Sequence, residues 1–206
     1  NDMENKKTGK GIREITKTSF LANEGLEKHI LYHCDEKEVA RELYDRAGSL
    51  INQTGAIPDG VVREYYANGA VKEETAYRNG KAHGKGVHYY PGGEVLEENI
   101  FVRGRLHGCA RTYRRNGLLW MEANYKDGKL HGAFTSRHDN GSVETTAEYC
   151  RGKLNGRYEA YDRHGGLMEE GTFVRGKKHG DHMSYHETGQ AARIERYWDG
   201  RLVTRE

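Results

Sequence analysis

The chain has little of what a conventional globular core is made from. Its 206 residues include only 2 prolines, 3 cysteines and 2 tryptophans, and 35% of them are hydrophobic. Mean hydropathy is −0.97, so a thick two-layer core is hard to build, and disorder is the usual reading of such numbers. Cys34, Cys109 and Cys150 are odd in number and lie at unrelated positions. They form neither a disulfide framework nor a CxxC metal motif, which favours a reducing compartment. No run of about 20 apolar residues exists, so no helix is built to span a membrane, and no signal-peptide core is visible. The expected location is cytoplasmic, with a processed export signal upstream of Asn1 left open. Net charge is +2, from 33 basic and 31 acidic residues. That near balance speaks against general nucleic-acid binding, which draws on a strong basic excess.

What is present is a period. Glycines recur every 24 residues at Gly84, Gly108, Gly132, Gly156 and Gly180. Two more glycine columns keep the step, one from Gly69 to Gly189 and one from Gly80 to Gly200. Aromatics run with them at Tyr77, Phe101, Tyr125, Tyr149, Phe173 and Tyr197. A second tyrosine column holds Tyr65, Tyr89, Tyr113, Tyr161 and Tyr185, broken by Arg137. Fixed aromatic spacing argues against disorder and for a thin array in which each unit packs on its neighbours.

One unit, Lys85 to Gly108, reads as strand, turn, strand, turn. Val87 to Tyr90 is rich in β-formers, Pro91-Gly92-Gly93 is a turn, Glu94 to Phe101 is a second strand, and Gly104 closes a second turn. A glycine about every eight residues excludes helix. A two-residue type I′ turn needs positive φ at both central residues. Pro91 cannot supply it, and Arg103, Arg151 and Arg175 resist it, so a three-residue loop with a left-handed glycine and a G1 bulge is expected at both turns. That loop sets Tyr65 opposite Val71 and Tyr89 opposite Val95. Alternation then puts Tyr65, Val71, Tyr77 and His83 on one packed face. The variable column Lys72, Leu96, Trp120, Glu144, Met168 and Ala192 falls on the other.

The expected architecture is all-β: an elongated antiparallel meander of tandem hairpin repeats in one open, twisted sheet. Residues 1–18 are expected to be a flexible or weakly paired lead-in, and 19–60 a degenerate β repeat or repeats. Six regular units follow over 61–206 (61–84, 85–108, 109–132, 133–156, 157–180 and 181–206). Leu43 to Gly60 reads as a shortened unit, because RELYDRAG parallels REYYANG at Arg63 to Gly69. The same parallel makes VARELYDRA a strand in preference to a helix.

The repeated ends YRNGKAHG (77–84), FVRGRLHG (101–108), YKDGKLHG (125–132), YCRGKLNG (149–156) and FVRGKKHG (173–180), with IPDGVVREYYANG (57–69) before them, resemble the MORN repeat (membrane occupation and recognition nexus). They are most similar to the bacterial MORN-variant family whose members are commonly labelled antitoxins. The resemblance implies an elongated antiparallel sheet, with binding to proteins or phospholipids as the generic role.

Three columns carry candidate chemistry. His83, His107, His131 and His179 sit about 10 Å apart on alternate strands, too far for one zinc ion with ligands about 2 Å away, so they read as packing residues. Glu74, Glu98, Glu122 and Glu170 lie on a flat sheet with no pocket for a catalytic carboxylate pair, and read as solvent-facing charge. The second turns are basic: Arg78, Lys81, Arg103, Arg105, Lys126, Lys129, Arg151, Lys153, Arg175 and Lys177 are the candidate partner-binding residues. A meander brings these turns to one edge, where Asp127 and Asp199 interrupt the line. Gly9-Lys10-Gly11 lacks the spacing of a phosphate loop, and no serine lies in a nucleophile elbow. No catalytic residue, metal site or cofactor is expected. The residues outside the array are too few for a kinase or methyltransferase domain. The reading is a non-enzymatic module that holds a protein partner, in the manner of an antitoxin. The alternative is peripheral binding to anionic phospholipid membranes, and self-association stays open.

Overall fold

The computed structural model describes residues 14–22 and 27–206. All regular structure among these residues is strand. The strands are β1 (Ile15–Ala22), β2 (Glu27–Cys34), β3 (Lys37–Asp45), β4 (Leu50–Gly55), β5 (Gly60–Tyr65) and β6 (Val71–Arg78). They continue as β7 (Lys81–Tyr89), β8 (Val95–Val102), β9 (Arg105–Leu106), β10 (Gly108–Tyr113), β11 (Leu119–Lys126) and β12 (Lys129–Arg137). The last are β13 (Val143–Cys150), β14 (Lys153–Tyr161), β15 (Leu167–Val174), β16 (Lys177–Tyr185), β17 (Ala191–Trp198) and β18 (Arg201–Arg205). All 18 join one sheet. From β5 onward each strand pairs antiparallel with the next, β9 and β10 being one line interrupted at His107. The expected all-β meander is what forms.

The first turn of each unit is the expected three-residue loop. The Tyr66 N–H donates to the Ala70 carbonyl at 2.8 Å and the Gly69 N–H to the Tyr66 carbonyl at 2.9 Å, with Gly69 at φ 82°. Tyr65 faces Val71 and Tyr89 faces Val95. The second turn is different. Val102 faces Arg105 and Cys150 faces Lys153, leaving two residues in each loop. Both are left-handed: Arg103, Arg151 and Arg175 have φ of 52°, 52° and 53°, and the glycines after them 79°, 82° and 85°. This is the type I′ turn that the sequence argument rejected. A left-handed arginine costs about 1–2 kcal/mol. That cost is offset because the turn twists with its strands and docks on the preceding unit. The N–H groups of Gly104, Gly128, Gly152 and Gly176 donate to the carbonyls of Ala82, Leu106, Leu130 and Leu154 at 2.7–2.9 Å.

The expected single packed face is also corrected. Glu64 faces Glu73, yet the next residue, Tyr65, faces Val71. One extra residue, Lys72, is inserted as a bulge, and it inverts the alternation. Tyr65 and Val71 therefore lie on one face and Tyr77 on the other. The first face is a polar lattice in which Tyr89 donates to Glu74, Tyr113 to Glu98 and Tyr185 to Glu170. The glutamate column, expected to point into solvent, is held by these phenols and by cations such as Lys85 and Arg111. The second face carries the aromatics, edge to face between Phe134 and Tyr149, Tyr158 and Phe173, and Phe173 and His182. Volumes compensate along it. A side chain on Gly86 would meet the Phe101 ring, and one on Gly171 would meet His182. Buried residues there include the small Ala110, Ala123 and Ala147.

The beginning of the described chain departs most from expectation. Residues 1–13 of the expected lead-in lie outside the described residues, but Ile15–Thr18 open a paired strand. β1 pairs antiparallel with β2 and parallel with β5, so β1–β4 extend outward from the array as hairpins. VARELYDRA is strand, and its turn repeats the first-turn bonds, Asp45 N–H to Ser49 carbonyl and Gly48 N–H to Asp45 carbonyl. After Gly55 the chain leaves the sheet and returns, and Ile57 seals a small core of Ile15, Tyr32, Ala40 and Val62. This junction closes one end of the repeats, where a solenoid would otherwise expose its packing surface. It is locked by a largely buried ion pair: Lys17 Nζ lies 2.5 Å from Glu73, which also takes His88 at 3.5 Å. Burial opposes the Lys17 charge, but the adjacent Glu73 outweighs it and raises the ammonium pKa. Burial would raise the Glu73 carboxyl; His88 and Lys17 more than offset it and hold the group far below the usual carboxylate range.

Three expectations follow. Gly128→Val should destabilise by more than about 1 kcal/mol, a β-branched residue being strained at positive φ. Arg151→Asn should stabilise by about 0.5 kcal/mol, since asparagine tolerates the left-handed region; chemical denaturation checks both. Because Glu73 has a depressed folded pKa, its contribution is complete above about pH 4.3 and lost as pH falls below it. Glu73→Gln should cost about 3 kcal/mol at neutral pH and flatten the acid loss seen in pH-dependent unfolding.

Candidate partner-binding edge

The docked turns decide where the cations stand. From Gly104 onward the second-turn glycines lie against the side chain that follows the preceding turn: Gly104 against Lys81, Gly128 against Arg105, Gly152 against Lys129 and Gly176 against Lys153. The ten candidate residues therefore run along one edge, turn after turn, at about 10 Å per unit. All ten are exposed. Among the described residues, Arg78, Lys81, Arg103, Arg105, Lys126, Lys129, Arg151, Lys153 and Arg175 have no carboxylate partner. Lys177 alone of the set is paired, with Asp199 at 2.8 Å. Arg78, Lys81 and Arg103 come together with Asn79 and His83 around an open recess of about 360 Å³.

The histidine column has a local role that its spacing did not reveal. Its positions stand against the second turn of the next unit. Asp59, one period before His83, accepts the Asn79 N–H at 2.6 Å, and Asn155 accepts the Arg175 N–H at 3.1 Å. His179 packs on Trp198 with ring centroids 4.7 Å apart. Trp198 alternates with Tyr197, so this column lies away from the Tyr77–Tyr197 face, contrary to the expectation for His83. The signal was present in the column itself, where Asp, His and Asn interchange as turn-facing polar residues.

Apolar side chains interleave with the cations and were not singled out from sequence. Val102, Val174 and Trp198 are 36%, 42% and 68% exposed, and each occupies the strand position that Arg78 and Lys126 hold in other units. The edge thus offers charge with apolar contact between the charges. Cys34, Cys109 and Cys150 are free thiols, and Cys150 holds this same strand position beside Arg151.

The fold and its edge define a class: a tandem β-hairpin array in one sheet with a line of unpaired cations on its turns. Family profiles match part of this array. The MORN repeat variant profile matches residues 58–79 and 106–127, and the MORN repeat profile matches 76–95 and 170–180. Over these segments the chain is similar to MORN repeats, which generally serve as protein- or membrane-binding modules. A search of curated proteins finds no match.

Proposed function

We propose that this chain is a non-enzymatic interaction module whose second-turn edge holds an acidic surface of a protein partner, as an antitoxin-like neutraliser would. The observation that carries this reading is the row of exposed cations without carboxylate partners on turns docked at a fixed pitch. One exposed charge contributes little, and charges are screened beyond about 10 Å at 0.1 M salt. Several units must therefore act together on an extended acidic surface. Val102, Val174 and Trp198 favour a protein over a headgroup layer, because apolar side chains between cations suit a mixed protein surface. The ordinary twist of a sheet also turns successive units away from a common plane, which a flat bilayer would require.

Charge reversal tests the reading. Arg151→Glu with Lys153→Glu should weaken salt-sensitive capture of an acidic partner modestly. Adding the reversals at Lys126, Lys129, Arg175 and Lys177 should abolish it with the fold intact by circular dichroism. Capture unchanged by the full set moves the site off this edge. Sedimentation with anionic vesicles that is lost in the same variants, without any protein capture, makes the membrane the ligand, with each cation near the surface contributing about 1 kcal/mol.

A further inference from the structure

The first turns form the opposite edge, and they are joined by a ladder of their own. The Tyr66 hydroxyl donates to the Tyr89 carbonyl at 2.6 Å, and the Tyr90 hydroxyl to the Tyr113 carbonyl at 3.0 Å. Arg114 donates through Nη2 to the Arg137 carbonyl at 2.9 Å, and His138 Nε2 lies 2.9 Å from the Tyr161 carbonyl. Each rung is one side chain reaching the next unit. The following position is Asp162, a carboxylate, which accepts and cannot donate. It turns back to its own loop and takes the His164 and Gly166 N–H groups at 2.7 and 2.8 Å on Oδ1. Among the described residues, no side chain donates to the Tyr185 carbonyl. At this missing rung the edge opens into a recess of about 530 Å³, lined by Asp162, Leu167, Met168, Tyr185, His186 and Glu187 among others.

We propose that this recess binds an arginine side chain presented by a partner protein, seated where the chain's own Arg114 sits two units earlier. The correspondence is position by position. Arg114 donates to the carbonyl of Arg137, and its guanidinium lies 5.6 Å from the Trp120 ring centroid. Two periods on, Tyr185 supplies the carbonyl, and Met168, 51% exposed, takes the place of Trp120 as the apolar wall. Asp162 replaces the arginine itself with the charge an arginine seeks, and among the described residues no hydrogen bond reaches its Oδ2. Glu187 adds a second carboxylate, while Arg163 is already paired with Asp139. The Gly166 and His164 N–H groups hold the Asp162 carboxyl below the usual aspartate range, so it is ionised at neutral pH. A guanidinium fork satisfies a carbonyl and a carboxylate together, which an ammonium point charge does less well. The site lies on the edge opposite the basic turns and is independent of the function proposed for them.

The experiment is an NMR titration of the full chain with Nα-acetyl-L-arginine amide, beside the neutral citrulline analogue. Saturable amide shifts are expected at Gly165–Met168 and Tyr185–Gly189, with the citrulline analogue at least about tenfold weaker. Asp162→Asn keeps a turn-capping side chain and should weaken arginine binding by a similar factor. Asp162→Arg should fill the recess from within and remove binding while the melting temperature is maintained or raised. Absence of saturable shifts at those residues, equal binding of the citrulline analogue, or full affinity in Asp162→Asn would each overturn the proposal.

Discussion

The structure depends on two consecutive left-handed residues at the end of every unit. They reverse the chain within two residues, and from Gly104 onward the second of them donates its N–H to the unit before. Direct bonding of one turn to the previous unit converts a string of hairpins into a lattice with fixed pitch. It also explains why the first position of the turn tolerates Asn79, Arg103, Asp127 and Arg151 alike at φ near 52°. What is selected there is a backbone conformation and a docking bond, which leaves the side chain free to carry charge into solvent.

Stability is spread thinly across such a lattice. Apart from Val87 and the small core around Ile15, Tyr32 and Val62, the buried positions hold alanine, glycine or a polar residue. Packing comes from aromatic rings laid over glycines of the neighbouring strand and from phenol–carboxylate bonds on the opposite face. Both depend on nearest neighbours, the usual energetics of a repeat array. The junction built by β1 and Ile57 matters because it supplies a buried end. Side chains flanking the turns project outward and recur at the array's own pitch, which is why both proposed binding sites lie on edges.

The sequence carried the period, the first-turn geometry and the Tyr65–Val71 pairing, because all three follow from local chemistry repeated six times. It also placed the cations on one edge, since a meander leaves no other location for alternate turns. The type I′ turn was not legible, because the strain of Arg103 is local while its compensation, the Gly104 bond to Ala82, comes from another unit. The face assignment failed at a single inserted residue, Lys72, whose parity effect no composition rule signals. The parallel pairing of β1 with β5 joins segments that share no repeat position, so no column records it. Asp162 was visible as the acidic member of a column of donors, but its meaning required knowing that Tyr66, Tyr90, Arg114 and His138 bridge units.

The most direct test of this account is amide hydrogen exchange at the second-turn glycines. Turn tips exposed to solvent ordinarily exchange fast. Docking predicts that Gly104, Gly128, Gly152 and Gly176 are protected by at least about a hundredfold, while Gly80, for which no described residue accepts a bond, exchanges freely. Free exchange at all five would contradict the claim that docked left-handed turns hold the array together.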